Sequence, residues 1–204
     1  MKQTIALGNT AFFTILRGPS ASAVLPFGGV AVHSPHTLFN DLPPVGFLDA
    51  SKAAQHPRTM PDDILVAIAH PGKRYVYRVP GDREPFIPTN HWALVRVSSQ
   101  TVTSAEYLEV WFLTPAFRAE LDRHATGQTI QRVSLADFQK ITIPLPPLEV
   151  QREAAHTIRG LQDAEQRYHD VIDAIRALKE RELAQLASQL TTEQAGAEEQ
   201  HDQR

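Results

Sequence analysis

The segment from Ile141 to Gln151, ITIPLPPLEVQ, constrains the fold of this chain more than any other stretch. Two isoleucines alternate with Thr142, which is the pattern of a short, half-buried strand. Three prolines follow at 144, 146 and 147, and each fixes its own φ angle and keeps the preceding residue out of the helical region. A long helical pattern starts immediately afterwards. A proline near a helix start costs little, because the N–H that it lacks would have no partner within the helix there. We therefore predict a strand, a rigid proline turn and a long helix leaving a globular head.

The bulk composition is typical of a globular protein with one ordinary domain and an appendage. The chain has 204 residues, of which 42% are hydrophobic and 21% charged. It contains no cysteine, which excludes disulfides and thiolate metal sites. No apolar run reaches the ~18 residues that span a bilayer, and the first residues lack the apolar core of a signal peptide. We expect a cytoplasmic protein without a membrane partner.

The charges are unevenly distributed along the chain. Net charge is −3 overall, but residues 1–147 carry 13 Lys and Arg against 11 Asp and Glu, and residues 148–204 carry 7 against 12. The head is therefore mildly basic and the helical segment acidic. The negative total does not exclude a nucleic-acid partner for the head.

The head is predicted to mix short strands and short helices. Apolar runs bounded by turn residues predict strands at 64–69, 75–79 and 92–97. Helical patterns cover 104–113 and 115–123, and Thr114 before Pro115 is a typical N-cap with proline at the first helical position. Residues 18–60 are rich in turn signals and give no clear element. The fold class is α+β, with a domain at 1–147 followed by a long helix at 148–190.

The long helix carries an apolar stripe that a small head cannot cover. At ~1.5 Å per residue, the segment 148–190 is ~60 Å long, so we expect it to pack on another helix as a coiled coil. Glu165, Lys179 and Glu182 interrupt a strict heptad. Residues 191–204 are polar and acidic and predict a disordered tail. The stripe consists of Ile158, Leu161, Tyr168, Ile172, Ile175, Leu178, Leu186 and Leu190.

The sequence contains no evident catalytic constellation. Asp62 and Asp63 resemble the start of a metal-dependent nuclease motif, but no lysine has a carboxylate two residues before it. Asp41-Leu-Pro-Pro-Val45 departs from the loop of amino-methyltransferases at Leu42, and no glycine-rich nucleotide loop follows a strand. His33 and His36 lack a third ligand at metal spacing. We predict no cofactor, no metal and no catalytic residue.

Basic and hydrogen-bonding side chains are better represented, in or beside turns of the head. Such groups suit phosphate contacts and the reading of base edges. They suit a solvated surface equally well, and composition alone leaves both interpretations open. The candidates for DNA contact are Arg58, Lys73, Arg74, Arg78, Asn90, His91, Gln128 and Arg132.

Six motifs carry a resemblance to a known family. Ile5-Ala-Leu-Gly8 with Leu16-Arg-Gly-Pro19 matches an "LG…RG" opening, and Asp62-Asp-Ile-Leu-Val66 matches "GDIL". Ile87-Pro-Thr-Asn90 matches an asparagine-bearing segment, and Tyr107-Leu108 matches "YL". Thr126–Phe138 matches a "GxxIxx(I/V)" run, and Ile143–Gln151 matches "IPLPPLxxQ". Together they resemble a target-recognition domain of the specificity subunits of type I restriction–modification enzymes. The resemblance covers about residues 5–190, and its last two motifs are specific.

The resemblance implies a recognition module and not an enzyme. Such a subunit reads double-stranded DNA at a bipartite site, and its long helices separate two recognition domains. It docks a DNA adenine methyltransferase subunit and, in some systems, a restriction or translocase subunit, which do the chemistry of phage defence. The assembly role would then fall to the proline segment and the stripe: Leu148, Gln151, Ile158, Leu161, Tyr168, Ile172, Ile175 and Leu186.

The chain departs from the family pattern in two ways. A conventional specificity subunit has two recognition domains and two helices, whereas this sequence shows one of each. A second copy in antiparallel pairing would supply the missing helix, and its two-fold symmetry would require an inverted-repeat target. Pro61-Asp62 also replaces a glycine-containing turn, and Ala69-His-Pro-Gly72 departs from a glycine-rich loop. The alternative function is an assembly or adaptor protein of a phage-defence or modification complex that has lost sequence reading.

Overall fold

The computed structural model describes residues 4–69, 75–99, 101–128 and 131–201, with the side chains of the last helix described as far as Leu186. The chain divides into two compact units, Met1–His156 and Thr157–Arg204. We call the first unit the head. Its strands are β1 (Thr4–Ala6), β2 (Phe13–Leu16), β3 (Val30–His33), β4 (Gly46–Leu48), β5 (Ile64–Ala67), β6 (Val76–Arg78), β7 (Ile87–Pro88), β8 (Trp92–Val97) and β9 (Thr142–Pro144).

The helices alternate irregularly with these strands, as the sequence predicts for an α+β fold. A short 3-10 helix (Ala21–Ala23) lies in the turn-rich region that gave no clear element. The α-helices are α1 (Pro35–Phe39), α2 (Ala50–Ala53), α3 (Ala105–Leu113), α4 (Pro115–His124), α5 (Leu135–Lys140) and α6 (Leu148–His201). Both the mixed fold class and the long C-terminal helix are confirmed. No helix in the described part of the chain is long and apolar enough to cross a membrane.

The strands described form three sheets. The largest is antiparallel, in the order β2-β8-β5-β6, and a second, β4-β3-β7, includes one parallel pairing. The third pairs β1 with β9 antiparallel, and Ile5 lies opposite Ile143. The first and last strands of the head are therefore neighbours.

Both faces of the largest sheet are buried, which explains why its central strands are continuously apolar. Ile64 and Val66 pack with α3, α4 and α5 on one face. Leu65 and Ala67 pack with Trp92 and its aromatic neighbours on the other. A strand covered on both sides has no solvent face and hence no polar alternation.

Local capping chemistry places the two short helices where the sequence predicts them. The Thr114 side chain accepts a hydrogen bond from the Phe117 N–H at the start of α4, with proline in the first turn. Ser104 does the same for α3 through the Tyr107 N–H. Each such cap satisfies an N–H that the helix itself leaves unpaired.

The long helix is longer than the sequence pattern predicts. Its apolar stripe ends near Leu190, yet α6 continues to His201. The expected disordered tail is therefore helical over 191–201, because that stretch is rich in Glu, Gln and Ala, which favour a helix without needing an apolar face. The head also ends later than the predicted boundary at residue 147, since its compact unit includes the helix as far as His156.

Candidate nucleic-acid interface and the proline joint

One buried side chain, that of Gln151, connects the first turn of α6 to the rest of the head. Its Nε2 donates to the carbonyl oxygens of Val102 (2.9 Å) and Pro146 (2.8 Å). Its Oε1 accepts from the Ser104 N–H at 3.3 Å, and the whole residue is inaccessible to solvent. Gln151 thus ties the first turn of α6 to the start of α3.

These contacts change the expected role of Gln151. The sequence grouped it with residues that contact a partner, but its hydrogen-bonding groups are engaged within the head. Leu148 is half-buried in the same turn. Tyr107 reinforces the joint because its hydroxyl donates to the Pro144 carbonyl oxygen (2.8 Å), and burial raises its pKa. These contacts give physical meaning to the "YL" and "IPLPPLxxQ" motifs.

The largest sheet has two opposite ends, and they differ in chemistry. The Asp63 end is where β5 and β2 begin and β8 and β6 finish. Arg96 binds the buried Asp63 carboxylate there through two hydrogen bonds, Nε to Oδ1 (2.8 Å) and Nη2 to Oδ2 (2.6 Å). Hydrogen bonding to Asp63 raises the pKa of Arg96. This pair neutralises a carboxylate that would be very unfavourable if left alone in the core.

Arg78 also belongs to the Asp63 end, where carboxylates surround it. Its guanidinium donates to Glu109 (2.9 Å) and Asp62 (2.7 Å), and it lies 3.7 Å from Glu106. Burial alone would lower the Arg78 pKa, but the hydrogen bonds to Glu109 and Asp62 outweigh it and raise the pKa. Three nearby carboxylates repel a phosphate. The geometry therefore argues against Arg78 as a DNA ligand.

Arg58 lies near the same end, since its carbonyl oxygen accepts from Arg96 at 3.0 Å. Its side chain lines a cleft of about 680 Å³ with Arg83 and the buried His33. Burial lowers the pKa of His33, and the positive charge of Arg83 acts in the same direction. The structure thus separates Arg58 and Arg78 from most of the predicted DNA-contact residues.

Asp62 accounts for one departure from the family pattern. It adopts a positive φ of 65°, in the left-handed region that favours glycine. Aspartate tolerates this conformation better than most residues, and its carboxylate gains the contact with Arg78. The turn that has glycine in the family therefore keeps a glycine-like backbone here.

The opposite end of the sheet, which we call the His91 end, collects the remaining candidates. The His91 carbonyl oxygen accepts from the Ile68 N–H (2.9 Å), just beyond the end of β5. The Val133 N–H donates to the Ile68 carbonyl oxygen (2.8 Å), which fixes Arg132 beside the same strand. Arg132 and Thr126 exchange backbone hydrogen bonds at this end, and exposed Gln128 follows two residues after Thr126.

Asn90 precedes His91 and holds an unpaired polar atom. Its backbone N–H donates to the Pro19 carbonyl oxygen at 2.7 Å. Its side-chain Oδ1 is buried without a hydrogen-bond partner among the described residues. Buried acceptors are rarely left unpaired, and this one lies among the other candidates at the His91 end. Lys73 and Arg74, the other two candidates, lie outside the described residues.

The structure adds Arg17 to the His91 end, which the sequence did not select. Its Nε donates to the Asn90 carbonyl oxygen at 3.3 Å, and its side chain is exposed. Gly18 makes this approach possible, because a Cβ there would collide with the carbonyl oxygen of Pro88. The Arg17-Gly18 pair is the sequence signal that could have identified this arginine. A glycine required for close backbone approach fixes the position of the arginine before it.

A cavity of about 480 Å³ also opens at the His91 end. Its lining is mostly apolar and includes Ala69, Tyr75 and His91. No group of His, Asp and Glu side chains within the described ranges could hold a metal ion. The end therefore combines cationic, amide and aromatic groups, which are the types that contact phosphates and base edges.

Comparison with known proteins identifies the family. The description "Type I restriction modification DNA specificity domain" matches residues 62–171, more than half of the chain. The chain belongs to this family. The matched range includes Asp63, His91 and the proline joint, and it confirms the resemblance seen in the sequence. The family is that of a DNA specificity domain, in agreement with a recognition module and not a catalytic one.

Solved structures agree with this membership at the level of the fold. The S subunit of a type I system from M. genitalium has 14% identity and a TM-score of 0.60, over 89% of this chain and 44% of that one. The HsdS subunit from Thermoanaerobacter tengcongensis has 22% identity and a TM-score of 0.54, over 79% and 37%. A chain from a study of type I system assembly has 20% identity and a TM-score of 0.57, over 79% and 38%.

This specificity-domain chain therefore spans less than half the length of those subunits. No curated protein matches it by sequence.

The residues assigned to assembly differ widely in exposure. Gln151 is buried, and Leu148 and Ile158 are half-buried. The other described side chains of the stripe are exposed in α6: Leu161 (62%), Tyr168 (72%), Ile172 (45%), Ile175 (59%), Leu178 and Leu186 (53%). Val171 and Leu183 are exposed as well, and the side chain of Leu190 lies outside the described residues. An apolar surface of this extent on a helix is typical of an interaction site.

Proposed function

We propose that this chain is a sequence-specific DNA-recognition subunit of a type I restriction–modification system, with the His91 end on the DNA. The observation that carries this proposal is the convergence of Arg17, Asn90, His91 and Arg132 at one end of a rigid sheet. A DNA duplex presents regularly spaced phosphates beside its base edges. A protein that reads it therefore needs cationic and amide donors on one surface.

The interface combines positioning with reading. Arg17 and Arg132 supply the phosphate contacts, with Lys73 and Arg74 kept as further candidates. Asn90 and Gln128 supply the amide groups that match the donor and acceptor pair of adenine in the major groove. His91 adds a ring to the lining of the cavity. Methyl transfer and cleavage belong to other chains, namely a DNA adenine methyltransferase subunit and a restriction or translocase subunit.

We further propose that the exposed face of α6 pairs with a second copy of the chain. Eight large apolar side chains between Leu161 and Leu186 are exposed on this helix. Burying such a face against an identical one removes it from water and gives two heads related by a two-fold axis. The target is then an inverted repeat with identical half-sites, whose separation the paired helices fix.

Selection from a random duplex pool tests the recognition role. The chain and the adenine methyltransferase encoded nearest to it are assembled, bound fragments are enriched, and the recovered sites are sequenced. We expect an inverted repeat with a spacer of constant length. A complex that assembles and enriches no sequence overturns the recognition role, and the adaptor alternative then stands.

Matched arginine variants test the interface. Arg132→Ala removes a cation at the His91 end, and Arg58→Ala removes one near the Asp63 end. On the selected site, the Arg132 variant should bind roughly 5- to 150-fold more weakly, as for a base or phosphate interaction of ~1–3 kcal/mol. If Arg132 binds a single phosphate, the slope of log affinity against log salt concentration should also become shallower by ~1. Equal weakening by both variants would exclude the proposed orientation.

Light scattering tests the pairing. The Ile172→Asp, Ile175→Asp double variant places two charges in the exposed face without changing the head. We expect the unmodified chain to be a dimer and the variant a monomer with the same head stability. An unchanged mass for the variant would rule out pairing through this face.

A further inference from the structure

On α6, several side chains placed symmetrically about Ile172 have compatible chemistry. Four pairs of residues at equal distances before and after Ile172 are chemically compatible with each other. Tyr168 and Arg176 lie four residues from Ile172, and Glu165 and Lys179 lie seven residues from it. Leu161 and Leu183 lie eleven residues away, and Ile158 and Leu186 fourteen. All lie in one continuous helix.

We propose that two copies of α6 pair antiparallel with the two-fold axis at Ile172, so that Glu165 of each copy meets Lys179 of the other. The inference rests on the proposed homodimer and specifies its register. At these four pairs of positions, apolar residues meet apolar residues, a carboxylate meets an ammonium, and an aromatic ring meets a guanidinium. Two of the charges that interrupt the stripe then neutralise each other within the interface.

The charges disfavour a parallel, in-register pairing of the two helices. In a parallel, in-register pair, Glu165 would face Glu165 and Lys179 would face Lys179, and like charges in a partly buried interface are unfavourable. A parallel pair that joins Glu165 to Lys179 needs a stagger of fourteen residues. Such a stagger has no two-fold symmetry and leaves both helices with open ends that recruit further copies.

The ring and guanidinium pair is also available for this contact. Tyr168 is 72% exposed. Arg176 forms an ion pair with Asp173 one turn away, in which both side chains are about 70% exposed. Solvent-exposed pairs of this kind are weak. The Arg176 guanidinium can therefore rotate over the ring of the second copy's Tyr168 as a cation–π contact.

The absence of cysteine makes the register directly measurable. In the full-length chain, Ile172→Cys places a thiol on the two-fold axis, so mild oxidation should link two copies. Glu165→Cys or Lys179→Cys alone places the two identical thiols fourteen residues apart along the axis, or ~21 Å. A disulfide needs Cα atoms within ~7 Å. Each of these single variants should stay unlinked, and the double variant should link.

Charge exchange gives a second readout that does not depend on thiols. Glu165→Lys or Lys179→Glu alone should weaken the dimer by at least tenfold, measured by sedimentation at several concentrations. The Glu165→Lys, Lys179→Glu double variant should restore it, because the pair is reversed and intact. In a parallel in-register dimer, positions 165 and 179 each face their own copy. Like charges then face each other in every variant, and the double variant would bind no more tightly than the single ones.

The outcomes separate the register from the proposed dimer. A monomeric unmodified chain overturns the homodimer and the register with it. A dimer that links through each single cysteine at 165, 172 and 179 is parallel and overturns the register alone. A dimer whose 165/179 double variant stays unlinked has a different axis. Linking at 172 and at the 165/179 pair, together with rescue by charge exchange, supports the register.

Discussion

Gln151 offers the sharpest test of how the head holds the start of the long helix. Its side chain makes three hydrogen bonds in a site closed to solvent. Gln151→Ala removes the partner of two carbonyl groups and one N–H. A buried polar group left unpaired costs ~1–3 kcal/mol, and water entering the vacated space will satisfy some of the three. We therefore expect stability to fall by about 3 kcal/mol, a large fraction of the ~5–15 kcal/mol of a typical domain.

Urea unfolding followed by tryptophan fluorescence measures this change where it occurs. Both tryptophans, Trp92 and Trp111, belong to the head. With a slope of ~2 kcal/mol per M of urea, the midpoint should fall by ~1.5 M. The control is Gln166→Ala, since Gln166 makes one exposed bond to Asp170 on the same helix (2.8 Å). Its effect should stay within ~0.5 kcal/mol.

Gln151→Glu distinguishes hydrogen bonding from packing. The glutamate side chain has the same shape, and one of its carboxylate oxygens still accepts from the Ser104 N–H. The other oxygen now faces the carbonyl oxygens of Val102 and Pro146. The carboxylate is repelled there and becomes tolerable only when protonated. The deficit relative to wild type should therefore shrink as the pH falls from 8 to 5. If Gln151→Ala and Gln166→Ala behave alike, the joint does not depend on this side chain and the reasoning fails.

Three further predictions concern the head. Arg96→Met leaves the buried Asp63 carboxylate without its cationic partner, which should destabilise the head by ~3 kcal/mol in urea, whereas Asp63→Leu in the same variant should restore part of that stability. Thr114→Ala removes an N-cap and should cost ~1 kcal/mol, measured against Thr142→Ala at an exposed site. Burial lowers the pKa of His33 from 6.5, so the unfolded chain binds the proton more readily. Stability should be full above pH ~6.5 and fall as the pH drops below it, and His33→Asn should flatten that decline in thermal unfolding.

Much of the fold follows from local patterns in the sequence. The strands at 64–67 and 92–97, the capped helices around Thr114 and the strand before the prolines each depend on a few neighbouring residues. The turn-rich region was not predictable in the same way. Its strands β3 and β4 are short, and β3 pairs in parallel with β7, more than fifty residues later. The residues next to β3 in the sequence do not identify β7 as its partner strand.

The candidate site shows the same limit at the level of side chains. Arg78 and Arg132 are similar in the sequence, each a cation beside a turn. Only the tertiary structure shows that Arg78 is held by Glu109 and Asp62, while Arg132 lies at the opposite end of the sheet. The resemblance selects Gln151 but implies a role in contacting a partner, whereas its bonds point inward. Hydrogen-bond partners 47 and 49 residues away are invisible to spacing arguments.

The pairing of β1 with β9 has a consequence for how such heads are inherited. Because Thr4 lies opposite Pro144, the first and last strands of the head lie side by side. A module whose entry and exit are neighbours can be spliced between two helices, or exchanged for another head, without rethreading the rest of the chain. The two strands and Gln151 then act as a standard connector. Recombination can then replace the rest of the head while the spacing between connectors stays the same.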